Sequence, residues 1–85
     1  KLRRNPMSII NITYRKDSGE YSLGRYSYYC EIPDIAVDDI VIAPTSKGDR
    51  AAKVVEINVP ESRIDERIMP RLKTITQREA PDENN

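Results

Sequence analysis

Apolar and polar residues alternate along several stretches of this chain, and a period of two marks a strand with one face in a core. From Ser8 to Tyr14, Ile10, Ile12 and Tyr14 fall on one face, Asn11 and Thr13 on the other. Within Tyr21–Ile32, Tyr26, Tyr28, Cys30 and Ile32 share one parity and Ser27, Tyr29 and Glu31 the other. The first set is expected to face the core and Tyr29 to lie outward or at a barrel end. Asp34–Val59 reads as a lead-in followed by a β-hairpin: strands at Ile40–Ala43 and Ala51–Val59, with Thr45–Arg50 as the loop. Its core set reads as Ile40, Ile42, Val55 and Ile57, with Val54 on the outer side beside Glu56 and Asn58. Leu72–Gln77 alternates again and predicts a closing strand that pairs near the first one.

Breakers set the limits of these strands. Arg15–Glu20 is a turn in which Gly19 supplies positive φ, and Tyr14 and Tyr21 are expected to pair across it. Gly24 marks a bulge or a close backbone approach. Pro33 ends the tyrosine strand, Ile35 and Val37 are expected to anchor the link, and Pro44 ends the next strand. Pro60–Ile68 carries helix signals: Ile64 and Ile68 stand four apart, and Ser62 or Asn58 can cap. It is too short to stand without docking, and Pro70 blocks its continuation, so one or two turns, partly 3₁₀, are expected. The predicted fold is mostly β: a small, partly open antiparallel β-barrel of about five strands with one short helix before the last strand. A β-meander with a helix packed across it is the alternative. The expected organisation is a flexible segment over 1–7, a single barrel domain over 8–78 and a flexible charged tail over 79–85.

Composition agrees with a small, thin-cored domain. Eighty-five residues do not suffice for two cores. With neither Trp nor Phe present, Ile, Val and five tyrosines must fill the interior, and β-branched residues suit strands. Acidic and basic residues balance at fourteen each, which argues against a general polyanion binder but leaves room for a local patch. The first 25 residues carry six cations against two acids, whereas residues 31–49 hold five acids against Lys47 alone. The lone Cys30 permits no internal disulfide, is expected to be a buried small hydrophobe, and fits a reducing cytoplasm. No apolar run has the length of a membrane span, so no membrane partner is expected.

The chain contains no histidine. That removes imidazole general acid–base chemistry, Ser–His–Asp and Cys–His arrangements, and zinc sites that need imidazole. Gly19, Gly24 and Gly48 are isolated and form no phosphate loop. Asp38 and Asp39 are adjacent, so an extended backbone sends them to opposite faces. No catalytic residue, no metal site and no cofactor is expected, and the chain is read as a non-enzyme.

The serious functional expectation is binding. Small barrels hold single-stranded nucleic acid with aromatic platforms beside positive charge. Here Tyr14, Tyr21, Tyr26 and Tyr29 lie among Arg15, Lys16 and Arg25, while Lys47 and Arg50 flank the hairpin loop. Arg63, Arg67 and Arg71 would form a stripe if the helix persisted. The candidate nucleic-acid-binding residues are Arg15, Lys16, Arg25, Lys47 and Arg50, with Tyr29 as the stacking residue. The alternative is a protein-interaction or self-association module, using an exposed edge or a tyrosine-lined groove to take a protein partner or a second copy.

One resemblance points the same way. Tyr28-Tyr29-Cys30-Glu31-Ile32-Pro33, then Val37-Asp38-Asp39-Ile40-Val41-Ile42-Ala43-Pro44, then Ala52-Lys53-Val54-Val55-Glu56-Ile57 is similar to the 3′-DNA-end-binding small barrel of the primosomal replication-restart helicase. It also resembles the PSP1 C-terminal domain family. The likeness covers about a third of the chain. It departs at Asp38, where glycine commonly opens the strand, and at Ala52, near a usual glycine of the return strand. It implies a small barrel and contact with single-stranded or end-containing nucleic acid, and it matches no binding residue individually. Nothing in the chain encodes a motor.

Overall fold

The computed structural model describes residues 8–79. The segment 1–7 and residues 80–85 of the expected tail lie outside the described residues. Five strands form one sheet: β1 (Ser8–Tyr14), β2 (Tyr26–Cys30), β3 (Ile40–Thr45), β4 (Gly48–Glu56) and β5 (Thr74–Ile75). Their order is β3-β4-β1-β2-β5. The sheet curls into a small, nearly closed barrel, with short helical turns before the last strand.

Closure comes from the end of the described chain. Ile42 N donates to Gln77 O, Glu79 N donates to Ile40 O, and Val41 and Arg78 form an antiparallel bridge. The outer edge of β3 is therefore paired, which leaves fewer free strand donors and acceptors than an open meander would. Charge clamps this closing segment. The Arg78 guanidinium lies 3.0 Å from Asp34 and 3.1 Å from Asp39, and Arg15 pairs with Glu79 at 2.5 Å. Glu79, placed in the tail by sequence, belongs to the folded body.

The interior is built from Ile10, Ile12, Tyr28, Cys30, Val41, Ala43, Ala52, Val54 and Ile75, all buried. Ile10, Ile12 and Ile75 are wholly excluded from solvent. Side chains of this kind contribute roughly 1.5–3 kcal/mol each.

β1 and β2 bury the predicted faces, apart from Tyr14, which is half-buried, and Tyr26, which is 47% exposed. β1 also buries its other face. Ile9 is covered where its carbonyl accepts Val59 N, and Thr13 Oγ1 donates to Ser22 O beneath the β1–β2 loop.

The hairpin reverses the expected parity. Val41, Ala43, Ala52 and Val54 point inward, whereas Ile40, Ile42, Val55 and Ile57 are only half-buried. Both parities of Ile40–Ala43 are apolar, so periodicity alone could not choose between them. A narrow barrel interior accepts the smaller set. Ile57 and Ile35 pack against the core from its rim, while Val37, the other expected anchor, is 48% exposed.

Strand boundaries also differ. β3 runs through Pro44 to Thr45, and β4 starts at Gly48, so the turn is Ser46-Lys47 and not a six-residue loop. Gly48 has φ 110°, a conformation suited to glycine. Asp38, at the position where the resemblance expects glycine, has φ 79°, which Asp tolerates better than most residues. β5 pairs with β2, in parallel, one strand away from β1, near which the sequence placed it. The helical segment is two separate 3₁₀ turns, Glu61–Arg63 and Met69–Arg71, and neither has a side-chain cap. Pro70 sits in the second turn, where a missing N–H is tolerated.

Candidate functional site: a tyrosine-walled basic groove

Between the barrel and the arm that leads to β5 lies a groove of about 650 Å³. The barrel wall supplies Tyr14, Tyr26, Tyr28 and Pro44, and the arm supplies Ile64, Ile68 and Leu72. Strand alternation brings Tyr26 and Tyr28 to the same side of β2. Antiparallel pairing of β1 with β2 places Tyr14 just beyond the Ile12–Tyr26 pair. The rings of Tyr14 and Tyr26 then meet with centroids 4.8 Å apart and planes inclined by 38°, inside the range of favourable aromatic pairs. Sequence predicts a Tyr14–Tyr21 pair, but Tyr21 instead bridges to Arg15 and lies under the Lys53 ammonium at 4.8 Å.

The hydroxyls fix the tyrosine wall. Tyr28 Oη donates to the Pro44 carbonyl at 2.9 Å. Its single proton being used there, it accepts from Tyr14 Oη at 2.5 Å. Burial, reinforced by the Tyr14 hydroxyl, pushes the Tyr28 phenol well above its ordinary value. Gly24 has a specific part in the wall: a Cβ there would stand 3.1 Å from the Tyr26 hydroxyl. The small residue leaves the space that Tyr26 occupies, so the sequence reading of a close backbone approach holds.

The groove is lined by the cations Arg25, Arg63, Arg71 and Lys73 and by the single acid Asp65. Two of these charges are already engaged. Arg63 pairs with Glu56, holding that carboxyl below its usual range with help from Asn11. Asp65 is held by Arg67, whose guanidinium lies 3.1 Å away, and its carboxyl is likewise lowered. Among the described residues no ion pair engages Arg25, Arg71 or Lys73. The groove therefore joins aromatic faces to three cations that form no ion pair among the described residues, of which Arg25 is near enough to Glu56 to help lower its carboxyl.

The structure redistributes the sequence-predicted site residues. Arg25 lines the groove. Arg50 adjoins it: its guanidinium lies 5.2 Å from the Tyr14 ring centroid and donates to Arg15 O at 3.0 Å. Arg15 is drawn into the ion pair with Glu79, which raises its pKa further. Lys16 is exposed in the turn after β1, and Lys47 is exposed at the β3–β4 turn. Tyr29 is half-buried, on the opposite parity to Tyr28, and its backbone N donates to Lys73 O. It anchors the arm by its backbone and does not line the groove.

The Arg63–Arg67–Arg71 stripe does not form, because the segment is not a continuous helix. Sequence reasoning names Arg71 only as part of a helical stripe that does not form, and misses Lys73 as a groove residue. They lie about fifty residues from Tyr26 in sequence, and only the parallel β2–β5 pairing brings the arm back.

Cys30 is 1% exposed, and burial pushes its thiol up, as suits a packed side chain rather than a nucleophile. Among the described residues no His, Cys, Asp or Glu cluster could hold a metal ion, and no helix is long and apolar enough to cross a membrane. In comparisons with family models, curated proteins and solved structures, nothing matches this chain.

Proposed function

We propose that this domain is a non-enzymatic binding module that holds single-stranded or end-containing nucleic acid in the groove between the tyrosine wall and the arm. The observation that carries the proposal is the position of Tyr26. The residue is 47% exposed, its ring packs at a tilt against Tyr14, and it borders a groove with three cations that form no ion pair among the described residues. Unpaired bases stack on such rings, while phosphates seek the adjacent charge. The acids that dominate residues 31–49 work against this only where they face the ligand, and Asp34 and Asp39 are taken up by Arg78 at the barrel closure.

Fluorescence anisotropy with labelled single-stranded and 3′-tailed DNA, at low and moderate salt, tests the reading. Binding that weakens with salt supports it. An absence of binding at low salt removes it.

The alternative, a protein-interaction or self-association module, is carried by a different place. Leu23, in the β1–β2 loop, is 100% exposed. That reading requires an oligomer or complex that dissociates on dilution and responds little to salt, which sedimentation at a series of concentrations measures.

A further inference from the structure

The side chains that line the groove divide into those already committed and those still free. Ser27 Oγ donates to Asn11 Oδ1, and Thr45 Oγ1 donates to Gly48 O and accepts Lys47 N. The hydroxyls of Tyr14 and Tyr28 are tied to each other and to Pro44 O. Both Asp65 carboxylate oxygens accept from Arg67. Among the described residues the groove hydroxyls without a hydrogen-bond partner are those of Ser46 and Tyr26, while the other hydroxyls and the Asp65 carboxylate are used within the protein. What the groove chiefly offers a ligand is ring face, aliphatic surface and cationic charge.

Resting on the function proposed above, we infer that the groove takes a short single strand without reading its bases: Tyr26 stacks on a base, and Arg25, Arg71 and Lys73 seat three phosphates. The backbone contact is divided between the lead-in to β2 and the arm, so the strand is gripped from both sides of the tyrosine wall. Discrimination between bases requires paired donors and acceptors aimed at a base edge, and one such bidentate contact separates right from wrong base by roughly fivefold or more. Stacking alone gives only modest preferences.

The test is anisotropy with labelled oligo-dT, oligo-dA and oligo-dC of equal length, each titrated over a range of salt, on the wild-type chain and on Lys73→Ala and Arg71→Ala. Both residues are exposed, and neither side chain has an ion-pair partner among the described residues, so these variants are expected to stay folded; circular dichroism checks this. The expected result is affinities within about fivefold of one another and a slope of log K against log salt of about −2. Each alanine variant should make that slope shallower by about 0.7, the contribution of one phosphate on a single strand. A preference of about tenfold or more for one homopolymer, or a slope that neither variant changes, overturns this inference while leaving nucleic-acid binding standing. Failure of all three oligomers to bind at low salt overturns both.

Discussion

The barrel body and the arm from Pro60 to Lys73 are built on different terms. Each long strand of the body sends alternate side chains into a common interior, where Ile10, Ile12, Val41, Ala43, Ala52, Val54 and Ile75 exclude water completely. The arm buries none of its residues in either 3₁₀ turn. It is held by local backbone bonds such as Arg63 N to Pro60 O and Leu72 N to Met69 O, and by the partial burial of Ile64, Met69 and Leu72. Stability therefore resides in the body. The body also presents the tyrosines, and the arm brings Arg71 and Lys73 alongside them. Substitutions should separate the two.

The largest expected effect is in the body. Ile12→Ala removes a fully buried side chain and should cost about 2–5 kcal/mol, read as a lowered midpoint in urea. Ile68→Ala in the arm, where the side chain is 49% exposed, should change stability by under about 0.5 kcal/mol. Equal losses at the two positions would erase the distinction.

Next is Tyr26→Ala, which is expected to weaken single-strand binding by about 1–3 kcal/mol and to leave the fold in place. Anisotropy measures the first effect and the unfolding midpoint the second. Unchanged affinity would move the stacking platform elsewhere.

A smaller change is expected at the hairpin turn. Gly48 has φ 110°, and a Cβ added there would meet nothing within 4 Å, so Gly48→Ala should cost about 1 kcal/mol through backbone strain alone. A neutral result would show that the turn relaxes.

The least effect concerns the exposed ion pairs. Arg78 lowers Asp34, and Arg63 with Asn11 lowers Glu56. A carboxyl depressed by folding adds stability that is complete above its ordinary range, about pH 4. That stability is lost as pH falls through the lower folded value. Urea unfolding between neutral pH and about pH 3 should show a small, salt-screened decline; a midpoint that rises on acidification contradicts this.

The fold is legible in the sequence where one parity is apolar and the other polar. Ile10 with Ile12 and Tyr28 with Cys30 show their inward face directly, and the resemblance and the alternation both point to a barrel. In the hairpin, Ile40-Val41-Ile42-Ala43 is apolar throughout, and size decides against the larger residues only once the barrel's narrow interior is known. The groove residues are legible in part. Arg25 and the aromatic cluster follow from their closeness in sequence. Arg71 and Lys73 depend on a parallel pairing of two residues, Tyr29 with Thr74 and Cys30 with Ile75, which no local pattern encodes. Arg15 reads as a free cation until the fold sets Glu79 beside it.

The measurement that tests the central claim most directly is a ¹⁵N-¹H NMR titration of the labelled chain with a short single-stranded DNA. Binding in the groove predicts shifts at Tyr14, at Arg25–Tyr28 and along the arm from Arg63 to Lys73, with little change around Lys16. Shifts centred on the Lys16 turn, with the groove unperturbed, would contradict it.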